Sequence, residues 1–132
     1  MHEEAAFFKV LSDPTRLRLA VLLAVQGETC VCQLAQALEV PLYQVSRHLA
    51  IMRAAGTVAA RREGTWIHYR LAQPRHHLER CLQDCFRDCL ATHATVKADR
   101  KRLARATCAK PGRAKNHDRK AQPPRPRKGT RQ

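Results

Sequence analysis

Between residues 57 and 71 the sequence TVAARREGTWIHYRL alternates polar and apolar side chains, while the segments on either side repeat at helical spacing. The stretch is rich in Val, Thr, Trp, Ile and Tyr, which suit a pleated surface, and Glu63-Gly64 divides it into two halves. It predicts a β-hairpin. One hairpin set among helices leaves few architectures open.

The helical segments can be placed from their punctuation. Residues 3 to 11 predict a short helix with Phe7, Phe8 and Leu11 on its apolar face. Asp13 as N-cap, Pro14 in the first turn and Gly27 as the stop frame a second, with Leu17, Val21 and Leu22 facing the core. A third is expected over about residues 31 to 39, capped by Thr29 or a neighbour, with Leu34, Ala37 and Leu38 inward. After a break at Val40 and Pro41, residues 42 to 55 form a fourth, closed by Gly56, in which Val45, Leu49 and Met52 keep the core spacing. Residues 74 to about 106 return to helical spacing as one long or broken helix.

Two helices joined by a tight break and followed by a basic hairpin make a winged helix-turn-helix. The expected fold is mainly α with a two-stranded β-hairpin wing, over residues 1 to 108. Residues 109 to 132 hold almost nothing apolar beyond alanine and are dense in proline and like charge, so they are expected to form a basic, disordered tail.

Charge points to the partner. Lys and Arg number 25 against 11 Asp and Glu, a formal charge of +14. The tail accounts for +8 of it and residues 1 to 108 for +6, so the folded part is basic in its own right and a polyanion is the expected partner. No uninterrupted apolar run reaches the ~18 residues of a membrane span, and the N-terminal MHEEAAFF is acidic. No membrane partner is expected, and the chain reads as cytoplasmic. Neither a C-x-x-C in a βαβ setting, nor a Ser-His-Asp pattern, nor a glycine-rich phosphate loop occurs, so the chain is not expected to be an enzyme.

LSDPTRLRLAVLL, ETCVCQLAQAL, VSRHLAIMRAAG and REGTWIHYRL, in that order and spacing, closely resemble the ArsR/SmtB family of metalloid- and metal-responsive repressors, and the CVC placement resembles its arsenic and antimony branch. The likeness runs from about Phe7 to Leu71 and more loosely to Cys108. It implies a homodimer formed through the terminal helices, which binds palindromic double-stranded operator DNA without ligand and releases it when As(III), Sb(III) or a metal binds. The chain departs from the family at Ala35, where a third cysteine often follows the CVC pair, and at Pro41, where serine is usual before the recognition helix.

A helix fits the major groove, and exposed side chains near its start meet base edges. On the fourth helix these are Tyr43, Gln44, Ser46, Arg47 and His48. Gln pairs with adenine and Arg with guanine, while hydroxyls suit phosphates. In the hairpin, Arg61 and Arg62 are expected to reach a neighbouring groove or the backbone. Trp66, Ile67 and Tyr69 are expected to pack the wing onto the core, with His68 in a structural role.

Cys30 and Cys32 stand at the start of the third helix, where unpaired N–H groups favour thiolate. In an unbroken helix residues i and i+2 point about 200° apart, so both could hold one three-coordinate As(III) only if the first turn unwinds. That distortion is the expected switch. Alternatives remain open: a redox pair, two small buried residues, a cadmium, lead or zinc site, or a metallochaperone. Cys81, Cys85 and Cys89 recur every four residues beside Leu78 and Leu82, as a dimer seam or as a second metal site that His93 could join. Cys81, Cys85 or Cys108 could also complete the first site.

Overall fold

The structure, a computed structural model, describes residues 1–108. The tail expected at residues 109 to 132 lies outside the described residues. Six α-helices and three strands follow in the order α1 (His2–Leu11), α2 (Pro14–Gln26), β1 (Thr29–Cys30), α3 (Val31–Leu38), α4 (Leu42–Ala54), β2 (Val58–Glu63), β3 (Trp66–Leu71), α5 (His77–Cys85) and α6 (Ala94–Arg105), with a π-helical turn at Phe86–Leu90 after α5.

The punctuation of α2 is as expected. The Asp13 carboxylate accepts the Arg16 N–H at 3.1 Å, Pro14 occupies the first turn, and Gly27 ends the helix at a φ of 85° that an L side chain rarely adopts. In α1 the expectation is half met. Phe7 is buried, but Phe8 is half exposed, because neighbours on a helix lie about 100° apart and cannot both face the core. Leu17 is likewise only partly buried.

The core gathers Leu19, Leu22 and Leu23 of α2, Leu34 of α3, and Val45, Leu49 and Met52 of α4, all almost without solvent contact. These residues dock α3 and α4 against α2 as two arms of a helix-turn-helix. Trp66 and Ile67 pack against the core and Tyr69 is buried, so the wing is fastened through β3.

The hairpin is present, and a third strand joins it. β1 pairs antiparallel with β3, Thr29 opposite Tyr69 and Cys30 opposite His68, giving the strand order β1-β3-β2. Because β1 runs into α3, Cys30 is the N-cap of that helix with extended backbone, and Thr29 spends its hydroxyl on the Gly27 carbonyl at 2.8 Å.

The C-terminal region is broken. The π-helical turn ends the first half, and His93 starts α6 by accepting the Thr95 N–H on Nδ1 at 3.1 Å. α6 lies along α3 and α2. Among the described residues no helix is long and apolar enough to cross a membrane.

Candidate nucleic-acid interface and thiol site

Burial of Val45, Leu49 and Met52 turns the opposite face of α4 outward. Tyr43 is 68% exposed and Arg47 is exposed without an ion pair among the described residues, while Gln44 and Ser46 are partly exposed. Gln44 donates weakly to the Tyr43 hydroxyl at 3.4 Å. Leu42 and Ile51 add exposed apolar surface beside these polar groups.

His48 is placed differently from the other four. The Arg16 guanidinium lies 3.2 Å from its Nδ1, and only a fifth of the side chain is exposed. Guanidinium can only donate, so Nδ1 is the acceptor in this contact. His48 thus braces α4 against α2.

On the wing the two arginines separate. Arg61 donates to the Glu28 carboxylate at 2.7 to 3.2 Å and reaches Glu63 at 3.4 Å, and these hydrogen bonds hold the Glu28 carboxyl below the usual carboxylate range. Arg62, on the other face of β2, is exposed and takes no ion pair among the described residues. His68 is partly buried, with Nε2 3.1 Å from the Glu63 carboxylate but outside hydrogen-bonding geometry, so the structural role expected for it is not shown by a hydrogen bond.

The cysteines fall into two groups. Cys30 is buried, and Cys32, one turn from Gln36, is joined to Cys108 by a disulfide with a Cα–Cα distance of 6.2 Å. The pair spans 76 residues of sequence. Gln36 was not among the expected residues, yet its side chain fixes this arrangement. Its Nε2 donates to the Thr107 carbonyl at 2.8 Å while its Oε1 accepts the Thr107 N–H at 3.2 Å. The same Nε2 lies 3.3 Å from the sulfur of Cys32 and 3.6 Å from that of Cys108.

Because Cys30 precedes the helix with φ −71° and ψ 143°, the opposed directions of i and i+2 inside a helix do not apply to it and Cys32. The expected unwinding of a full first turn is therefore not required to bring the two thiols together. What restrains Cys30 is its pairing with β3.

The second group lies on α5 and the π-helical turn. Cys81 Sγ is 3.4 Å from His77 Nε2. Contact with the Cys89 thiol, and burial after it, push the Cys85 thiol up, away from thiolate. His93 is not gathered with them, and its Nδ1 is engaged in capping α6. Among the described residues no three His, Cys, Asp or Glu side chains are gathered into a metal cluster.

Two further pairs set the frame. Asp99 of α6 is fully buried and bonded to Arg18 of α2 and Arg102. A lone acid in ADRKRLAR reads as surface, so nothing local marks it.

Residues 13–60 match the family of bacterial regulatory proteins described as the arsR family. The chain is 52% identical over 64 residues to the arsenic resistance transcriptional regulator ArsR1 of Pseudomonas putida, covering 48% of this chain and 50% of that one. It is 45% identical over 75 residues to an uncharacterized HTH-type transcriptional regulator of Methanocaldococcus jannaschii, covering 56% of this chain and 84% of that one. The chain thus spans about half the length of the Pseudomonas relative. Among solved structures, reduced HlyU from Vibrio cholerae superposes with a TM-score of 0.56 at 24% identity, over 63% of this chain and 83% of that one. That likeness carries the winged-helix fold.

Proposed function

Because the chain belongs to the arsR family of bacterial regulatory proteins, we propose that it is a cytoplasmic transcriptional repressor that binds operator DNA as a homodimer and releases it when As(III) or Sb(III) is captured by cysteine thiolates. The observation that carries the reading is the position of Cys30. It pairs with the wing through His68 on one side and caps α3, the first arm of the helix-turn-helix, on the other.

The donor set fits such a ligand. Sulfur is the soft donor that a trivalent arsenic or antimony centre takes, and Cys30, Cys32 and Cys108 lie at the same end of α3 without an oxygen or nitrogen ligand among them. When bound, the metalloid supplies bonds to sulfur that draw its ligands to within about 3.5 Å of one another, if they resemble zinc thiolate bonds. Everything else is done by the chain. Tyr43, Gln44, Ser46 and Arg47 face the major groove, Arg62 reaches the backbone, and His48 and Arg61 hold α4 and the wing to their neighbours. Movement of Cys30 toward Cys32 strains the Cys30–His68 pairing and disturbs the seat of the wing. A hundredfold preference of the ligand for the non-binding state corresponds to about 2.7 kcal/mol of coupling.

Half-exposed Phe8 on α1 and the apolar groove lined by Leu17, Val21, Leu90 and Val96 support a second copy docking along the terminal helices. The test is fluorescence anisotropy on operator DNA, in reductant, with arsenite, antimonite, cadmium or zinc added. Wild type is expected to release on arsenite or antimonite, while Cys30→Ser and Cys32→Ser hold on. Release that survives both substitutions refutes the proposal, and release by cadmium or zinc alone moves the ligand assignment to those metals.

A further inference from the structure

Ala35 leaves a trithiolate site on α3 one sulfur short, and four cysteines remain to supply it. The geometry decides among them. α6 and the strap after it run back along α3: Arg102 Nε donates to the Ala37 carbonyl at 2.7 Å near the end of α3, Thr107 meets Gln36 one residue earlier, and Cys108 meets Cys32 in its first turn. After Arg105 the backbone becomes extended at Ala106, so Thr107 and Cys108 lie along α3 instead of continuing the helix. The two Gln36 hydrogen bonds to Thr107 fix that strap one residue before the sulfur. By contrast Cys81 is turned to His77, and Cys85 and Cys89 to each other, on α5 and the π-helical turn, the second of which packs against α2.

We propose that Cys108 is the third sulfur ligand, so that Cys30, Cys32 and Cys108 together hold the trivalent metalloid. This rests on the function proposed above and deepens it. The Cys32–Cys108 disulfide is the oxidised state of the same pair. Two thiols of a cellular reductant open it by exchange, giving two protein thiols and one reductant disulfide. Arsenous acid then exchanges its three hydroxyls for three thiolates. Each thiol proton leaves with a hydroxide as water, and arsenic stays trivalent throughout. The oxidised chain keeps only Cys30 at the site and takes up no metalloid.

The test uses the full chain reduced with a phosphine, which does not compete for arsenic. X-ray absorption counts the sulfurs around arsenic, and titration gives the affinity for arsenite. Wild type is expected to show three sulfurs. Cys108→Ser should show two sulfurs and an oxygen, with affinity lowered by about tenfold or more for the lost arm of the chelate. Phenylarsine oxide, which needs only two thiols, controls for folding and should bind both forms within about threefold, a difference of roughly 0.6 kcal/mol. Three sulfurs and unchanged affinity in Cys108→Ser overturn this assignment, as does a loss of the third sulfur on substituting Cys81, Cys85 or Cys89 instead. Unchanged arsenite binding in Cys32→Ser strikes at the proposed function itself, so the two failures are told apart.

Discussion

The buried carboxylate of Asp99 on α6 and the guanidinium of Arg18 on α2, 81 residues apart in sequence, are joined by two hydrogen bonds of 2.7 and 3.0 Å. Arg102 adds a third at 2.8 Å. The same two cations donate to the last carbonyls of α3, Arg18 to Leu38 at 3.1 Å and Arg102 to Ala37 at 2.7 Å. Helix ends leave such carbonyls without intrahelical partners and carry partial negative charge, so cations suit them. Asp99 in turn balances the cations.

Removing Asp99 leaves two partly buried arginines facing each other without their anion. Asp99→Ala is therefore expected to lower stability by about 3 to 5 kcal/mol, the range for breaking a buried ion pair from one side. Urea denaturation measures it. A loss below about 1 kcal/mol, the worth of a surface pair, would show that the triad does not anchor α6.

Gln36→Ala should free the strap that carries Cys108. Its two bonds to Thr107 are solvent-exposed, so together they are assigned about 1 kcal/mol, or about fivefold in the population of the undocked strap. In reduced protein the rate of Cys108 alkylation by a maleimide should rise by that factor while Cys81 is unaffected. An unchanged rate would mean that α6 alone positions the thiol.

Arg47 and Arg62 should fail in different ways. Arg47→Ala is expected to cost about 1 to 3 kcal/mol on operator DNA and to flatten sequence preference, whereas Arg62→Ala should weaken operator and scrambled DNA alike and lower the salt slope by about 1. Arg61→Ala should affect affinity less than Arg62→Ala, because Glu28 already holds its guanidinium. Anisotropy over a salt series separates the three. Equal slopes for wild type and Arg62→Ala would remove the wing from the contact surface.

Glu79 makes stability depend on pH. Its burial works to raise the carboxyl, but the Arg75 N–H at 2.9 Å and the Arg75 guanidinium at 2.9 Å outweigh it, and the group is held below its ordinary 4.5. A carboxyl depressed by folding stabilises above its unfolded value and loses that contribution as pH falls through the folded one. Glu79→Gln should thus cost about 1 to 2 kcal/mol at neutral pH, with the difference from wild type closing as the medium is acidified below 4.5. Melting temperatures across that window test it; a gap that does not narrow would assign the effect to packing.

Local signals announced themselves and distant pairings did not. Asp13, Pro14 and Gly27 framed α2 because caps act within one turn, and Val45, Leu49 and Met52 were legible because burial imposes a period on the chain. β1 was missed because two residues are too few to show alternation. His48 and Arg61 have the spacing of free surface groups, and only the fold brings Arg16 and Glu28 to them. The thiols at the start of α3 were visible as a motif, but the approach of Cys108 depends on the break at Ala106 and on Gln36, which leave no mark in hydrophobic pattern.

The order β1-β3-β2 puts Cys30 and Arg62 on opposite rims of one small sheet. With strands about 4.8 Å apart, two steps across the ladder span only about 10 Å. In the proposed switch, a shift of the sulfur-bearing rim would reach the basic rim through the amide ladder, with no relay of packed side chains needed.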